Sequence, residues 1–484
     1  MSRDRGGLAL LLHSHMPYVE GFGTWPFGEE WLWEAVASVY LPLLDVLDGA
    51  PVTVGLTPVL CDQLETLPSA GGERMLSFLR DVRATIHEDD ALGLERAGAP
   101  TLAAELRRAA GDYVRAEEAL GERSGDLVSA FGALEGVELW TSCATHALLP
   151  LLATDAGLRL QVGTGVAAHE RRFGGFDGGF WLPECAYVPG LERELQDHGV
   201  RAFCTDQTAA HGLGAAAQLE PVATPAGPVA VPIDWQTVEL VWGQASGYPA
   251  HPGYRDYHRR TLHDLRPWSN GGEPYRHERA LALARVHARD FVQRAIARLD
   301  AYSIERGRPG LLTCALDTEL LGHWWYEGPA WLEEVLGEAH AQGLDLVTVS
   351  EGLRRVEPVE RALSSSSWGR GKDLSTWDAP PVAEVAFIAR GVELRTVAAA
   401  AGRGRRSALE RAVRELLAIQ ASDWCFLVAR GLAGEYPLER VRGHAAAHDV
   451  ALGALTDSPA MPPAPEPALR NLAPHLDLAP LLAP

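Results

Sequence analysis

Short apolar runs that stop abruptly at polar residues recur along this chain. Leu8–Leu12 reads LALLL and ends in His13-Ser14-His15. The pattern returns at Val52–Leu56 before Thr57-Pro58, at Val137–Trp140 before Thr141, and at Gly179–Leu182 before Pro183-Glu184. It appears again at Ala202–Cys204 before Thr205-Asp206, at Leu311–Leu316 before Asp317, and at Leu346–Val349 before Ser350-Glu351. A continuous apolar run of this length predicts a strand covered on both faces. Amphipathic stretches lie between them, at Trp31–Leu47, Leu191–His198, Arg279–Arg298 and Ala330–Ala341. Alternating strands and helices predict a parallel sheet, and this many units predict a barrel. Barrel chemistry sits beyond the C-terminal strand ends, so the polar residues that close each run become the candidate site.

Two regions break the pattern. Ser69–Glu135 is rich in Ala, Arg and Glu and offers no strand, which predicts an inserted helical subdomain. Beyond a Ser-rich linker at Ser364–Ser367 and a Trp/Gly segment, helical stretches dominate, notably Ser407–Leu417 and Ser422–Gly431. Pro459–Pro484 is rich in Pro and Ala and is expected to be a poorly ordered tail. The predicted division is a catalytic barrel over 1–68 and 136–360, a helical insertion over 69–135, a C-terminal helical domain over 361–458 and the tail over 459–484. No internal repeat is evident.

Charge narrows the function classes. The 43 Lys and Arg stand against 64 Asp and Glu, for a net −21. A nucleic-acid binder needs a basic face, so neither nucleic acid nor an anionic membrane surface is expected as a partner. Lys372 is the only lysine. Schiff-base chemistry, a carboxylated-lysine metal bridge or a P-loop would all have to use it. Six cysteines are widely spaced without a CxxC, which reads as reduced thiols. The first apolar run is too short for a signal sequence or a membrane span, so a cytoplasmic protein is expected.

Two segments carry candidate chemistry. Trp181-Leu182-Pro183-Glu184-Cys185-Ala186-Tyr187 puts a carboxylate at a buried strand end between rings that could wall a sugar. Asp317-Thr318-Glu319-Leu320-Leu321-Gly322-His323-Trp324-Trp325-Tyr326 puts another at a second strand end, followed by a dense aromatic run. Either acid could merely cap a helix. Two carboxylates on different strand ends are also the layout of glycosidic chemistry, one as nucleophile and one as acid/base. His13 and His15 point the same way from the first strand, and His146 follows the third. Such a pair suits sugar or carboxylate contact, or a metal, and the metal reading makes a metal-dependent amidohydrolase the rival class. Against it, no second HxH follows.

The chain resembles glycoside hydrolase family 57, in particular its α-1,4-glucan branching-enzyme subfamily. The resemblance rests on His13–Tyr18 (HSHMPY), Trp31–Leu44, His146–Leu151, Trp181–Tyr187, Gly247–Arg259, Asp317–Gly328, Ser367–Trp377 and Ala421–Phe426 (ASDWCF), in the family's order. It implies a distorted (β/α)7 barrel with a helical insertion and a C-terminal helical domain over the site. It implies a retaining mechanism without metal or other cofactor, acting on an α-1,4-glucan in carbohydrate metabolism, with glycogen biosynthesis as the setting. Glu184 matches the nucleophile and Asp317 the proton donor. Arg255, Trp268, Gly272, Trp368, Trp377 and Asp423 match glucan-contacting positions, with Trp268, Trp368 and Trp377 offering stacking faces, and His13, His15, His146 and His323 are expected to contact substrate beside them. A Gln of the family's pattern after the SDW segment is replaced by Leu432 or a neighbour. An α-amylase-type hydrolase or a 4-α-glucanotransferase is the same-family alternative.

One departure bears on the product. The carboxylates are 317 − 184 = 133 residues apart, and the length missing relative to branching enzymes falls at Ala209–Ile233. The family carries a mobile loop there with a tyrosine at its tip. Here no tyrosine lies between Tyr187 and Tyr248. The expectation is transfer accompanied by substantial hydrolysis.

Overall fold

A computed structural model describes residues 4–243, 245–402, 405–455 and 471–482. Strands β1 (Gly6–Ser14), β2 (Thr53–Leu56), β3 (Glu138–Ser142), β4 (Gly179–Trp181), β5 (Ala202–Thr205), β6 (Val222–Ala223), β7 (Val229–Pro232), β8 (Gly310–Asp317) and β9 (Val359–Glu360) form one sheet. Its order is β8-β1-β2-β3-β4-β5-β7-β6-β9. Neighbours run parallel except β6 and β7. Past β7 the sheet curls back on itself. Ile233 N donates to Thr205 O of β5 at 3.0 Å, and Asp234 N donates to Thr313 O of β8 at 2.8 Å. The result is a distorted barrel, with β6 and β9 as an outer flap and helices packed around it.

Six of the expected strands are present, and one is exchanged. Leu346–Val349 is not a strand. Leu346 makes one bridge to Leu8, and a helix begins at Val349. Thr348 and Glu351 form a capping box there, each side chain bonding the other's backbone N–H, and that favours a helix start over continued pairing. The missing barrel strand is β7, inside the Ala209–Ile233 stretch, where no strand is expected from sequence.

Alternation along the strands aims the polar ends. On β1, Leu8, Leu10 and Leu12 face the helical layer, and Ala9 and Leu11 join the barrel interior with Trp181, Leu311 and Ala315. His13 and His15 continue the interior series, and Asp317 continues that of Leu311 and Ala315. His13 pairs in register with Asp317 across β1 and β8.

The 70–132 stretch is helical, as expected, and so is the chain from Ala383 to Gly453 apart from its connecting turns. The tail expectation is corrected for 471–482. Leu472, Ala473, Leu478 and Leu481 are buried in the C-terminal apolar cluster, and Ala473 N donates to Asp62 Oδ2 at 2.8 Å. Apolar leucines interleaved with the prolines and alanines are enough to dock the segment. The remainder of the expected tail, 459–470 and 483–484, lies outside the described residues. Among the described residues no helix is long and apolar enough to cross a membrane.

Candidate active site

Glu184 sits just past β4 in a tight turn with left-handed backbone (φ 59°, ψ 21°), and Cys185 follows at φ 50°. Such a conformation costs a non-glycine residue about 1–3 kcal/mol and persists only where its surroundings impose it. Here the segment around Trp368 imposes it. Tyr187 and Ser366 exchange backbone bonds of 2.9 and 3.0 Å, and Trp368 N donates to Glu184 O at 2.9 Å. The Glu184 side chain then receives two donors. Trp368 Nε1 donates to Oε2 and Ser422 Oγ to Oε1, each at 2.9 Å.

His146 has the same kind of backbone (φ 59°) and is held the same way. Ala147 bridges Ala421, and Ser422 N donates to His146 O at 3.1 Å. His13 lies between Trp181 and His146, with ring centroids 4.5 and 4.8 Å away, and its Nε2 is 2.9 Å from His146 Nε2. His146 Nδ1 is 2.9 Å from Ser422 Oγ and 3.9 Å from Glu184 Oε1. Burial drives both His13 and His146 well below the usual imidazole range. His15 behaves differently. Burial pulls it down, but Asp423, 2.8 Å away, outweighs that together with Glu319 and Glu184, and its affinity for a proton is raised.

Asp317 is pushed well above the ordinary aspartate range by burial first, then by Glu319, Glu184 and Asp423. Burial also pushes Glu184 up to about 7, against the pull of its Trp368 and Ser422 donors. Glu319 is raised to about 7 as well, chiefly by burial. It accepts from His15 N at 3.0 Å and from the Tyr40 hydroxyl. Tyr40 ends a π-helical turn, Val36–Tyr40, within the first helix. Gly322 packs against that turn. At φ +116° it approaches so closely that a Cβ there would lie 2.0 Å from Ser38 O, which explains the glycine of the GHWW run.

The structure therefore gathers His13, His15, His146, Glu184, Asp317, Trp368 and Asp423 in one cluster. The other expected contacts take different partners. Trp377 is 2% exposed against Leu148 and Ala186, so packing removes the expected stacking face. Arg255 is sandwiched over Tyr326 (3.7 Å) and Tyr275 (4.6 Å) and pairs with Glu105 at 2.6 Å, which ties it to the helical insertion. Trp268 carries Arg259 over its ring at 4.3 Å, and Gly272 O accepts from the same guanidinium. His323 lies beside Tyr257 and Trp324. Trp325 is buried, whereas Trp324 is 47% exposed. Leu432 is 44% exposed beyond the Ser422–Arg430 helix. Sequence reasoning missed Ser422, Glu319 and Tyr40. The first two stand inside the quoted SDW and DTEL segments, but only tertiary contact reveals their partners.

His15, His146 and Asp423 carry ligand atoms within 4.8 Å of one another, so a cation could be held there. The nitrogens are already engaged, His15 Nε2 by Asp423 and both nitrogens of His146 by His13 and Ser422. A cation would have to break that network.

Residues 126–239 match the model of glycosyl hydrolase family 57, and residues 386–461 match that of the 1,4-alpha-glucan branching enzyme C-terminal region. A GH57-type branching enzyme from Pyrococcus horikoshii superposes with a TM-score of 0.84 at 31% identity, covering 91% of this chain and 88% of that one. The chain belongs to glycosyl hydrolase family 57. A probable 1,4-alpha-glucan branching enzyme of Mycobacterium tuberculosis is 34% identical over 93% of this chain and 92% of its own length. A 1,4-alpha-glucan branching enzyme of Thermococcus kodakarensis is 32% identical over 91% and 72%. An alpha-amylase of Thermotoga maritima shares the family fold, with a TM-score of 0.78 at 24% identity over 94% of this chain and 95% of that one.

Proposed function

We propose that this family 57 protein is a 1,4-α-glucan branching enzyme working by double displacement. The observation that carries the reading is Glu184, held in a left-handed turn by Trp368 and Ser422 beside Asp317, a second buried carboxyl whose affinity for a proton is raised. The relatives named as branching enzymes match over most of the chain, which supports the substrate assignment to an α-1,4-glucan.

Ionised Glu184 attacks the anomeric carbon, and Asp317 gives its proton to the departing 4-oxygen. The product is a glycosyl ester on Glu184 and a shortened glucan. The Asp317 carboxylate then takes the proton of an acceptor 6-hydroxyl, whose oxygen displaces Glu184 and forms the α-1,6 bond. Water in place of the acceptor gives hydrolysis. Trp368 and Ser422 steady the nucleophile, and His15 partly offsets the opposing negative charge of Asp423 beside it. Residues 361–458, which supply Trp368, Ser422 and Asp423, act as a cap on the barrel in this reading. All six cysteines are free thiols, which supports a reducing, cytoplasmic setting.

The short 209–233 segment bears on partition. Its residues include β6 and β7 and contain no Phe, Tyr or Trp ring to cover an acceptor. An acceptor outcompetes water only where it is bound and oriented. Incubation with amylose, scoring α-1,6 linkages and reducing ends together, tests both points. The expected result is branch formation with clear release of reducing ends. Reducing ends without branches would move the assignment to a hydrolase, and branches without reducing ends would show that another element excludes water.

A further inference from the structure

We infer that His13, His146 and Ser422 form a one-way chain of hydrogen bonds whose last proton is aimed at Glu184, which makes His13 and Ser422 positioning residues for the nucleophile. The inference rests on the reading of Glu184 as nucleophile. Its geometry is a line of three contacts of 2.9 Å: His13 Nε2 to His146 Nε2, His146 Nδ1 to Ser422 Oγ, and Ser422 Oγ to Glu184 Oε1.

A neutral imidazole has one N–H, and both rings are kept neutral by burial. Only two orientations of the chain are then consistent. In the first, His13 Nε2–H donates to His146, His146 Nδ1–H donates to Ser422, and the Ser422 hydroxyl donates to a charged Glu184. In the second, every bond is reversed, so Glu184 must carry a proton and His13 must carry its hydrogen on Nδ1. His13 Nδ1 decides between them. It is buried and has no hydrogen-bond partner. The residue beside it in register on β2 is Gly55, which has no side chain to offer. A buried N–H with no acceptor is expensive, and the first orientation avoids it by leaving only a bare lone pair there.

The orphaned nitrogen at one end of the line thus biases the charge at the other. No proton moves along the chain. Its bonds hold the Ser422 hydrogen on Glu184 and oppose the protonated carboxyl, which cannot attack. Ser422 also holds Oε1 while Trp368 holds Oε2, so the carboxylate is fixed in rotation. His13 acts three hydrogen bonds away from the Glu184 carboxylate and touches no substrate in this account.

The direct test is imidazole 15N NMR of the full-length protein labelled at histidine, with His13→Gln and His146→Gln variants to assign the rings. The expected result is His146 protonated at Nδ1 and His13 at Nε2. Finding His146 protonated at Nε2, or either ring cationic at neutral pH, overturns the inference. This readout does not depend on activity, so it fails separately from the nucleophile assignment, which Glu184→Gln tests. Ser422→Ala should lower kcat about 10-fold or more, by loss of a hydrogen bond to a charged group. It should also move the acid limb of the pH profile upward, and Ser422→Thr, which keeps the hydroxyl, should restore both. The other charged groups around Glu184, namely His15, Asp317, Glu319 and Asp423, stay in place in these variants. An unmoved acid limb in Ser422→Ala shows that the hydroxyl does not favour the ionised nucleophile and overturns the claim.

Discussion

In the proposed mechanism attack and proton donation need opposite protonation states, yet burial pushes Glu184 and Asp317 in the same direction. Hydrogen bonding separates them. Two donors pull Glu184 back to about 7, whereas Asp317 is pushed up by burial and by three neighbouring carboxylates. The proposed mechanism requires Glu184 to ionise first, and the charge of Glu184 raises the proton affinity of Asp317. The profile of kcat/KM against pH should therefore be bell-shaped. It should rise through about 7 as Glu184 loses its proton and fall at higher pH as Asp317 does. The limbs belong to the cluster, because Glu319 titrates in the same region. Asp317→Asn should remove the alkaline limb and lower activity on natural glucan by about 10²–10⁴-fold. Its first step on a donor with an activated leaving group should suffer far less. Equal losses on both donors would argue against the acid role.

At the scale of elements, the site is built from strand ends and clamped by loops. Apolar runs revealed six barrel strands, and the residues closing them supplied His13, His15, Glu184 and Asp317. Two things stayed hidden for physical reasons. Val229–Pro232 sits among alanines, glycines and prolines and gains strand character only from pairing with β5 and β6. The role of Ser422 depends on a bond to Glu184 across 238 residues of chain, which no local pattern encodes. Leu346–Val349 was legible in principle, since the Thr348-x-x-Glu351 capping box signals a helix start. The Trp368 loop has its own clasp. Lys372 pairs with fully buried Asp206 at 2.8 Å and lies 3.2 Å over the Trp235 ring. Breaking such a pair from one side costs about 3–5 kcal/mol. Lys372→Met should lower the melting temperature and kcat together, and adding Asp206→Asn should recover much of the stability. Strictly additive losses in melting temperature would show that the pair is not coupled.

For the whole molecule, the cluster lowers stability in exchange for function. Glu184 binds its proton more tightly when folded than when unfolded, because its value rises from an ordinary 4.5 to about 7. The stability it contributes is fully present below about 4.5 and is lost as pH climbs through about 7. Gln at this position does not titrate. Glu184→Gln should therefore cut activity on α-glucans on the order of 10⁴-fold or more, while its melting temperature gains on the wild type as pH rises from 4.5 to 8. A constant difference in melting temperature across that range would mean that the carboxyl is not strained by burial. The docked 471–482 segment and the clamps at Trp368 and Ser422 bring chain-distant parts onto one barrel face, so the site and the C-terminal helices should melt together.

The clasp at Lys372 also provides a built-in clock. It holds the chain's only side-chain amine, on a side chain just 16% exposed whose nitrogen is itself buried. An acylating reagent can reach it only when the Trp368 loop lifts from the barrel. The rate of labelling at this one position, read by peptide mass, then counts loop openings directly. Comparing that rate with and without bound glucan would tell whether the cradle of Glu184 breathes on its own or is shut when glucan binds.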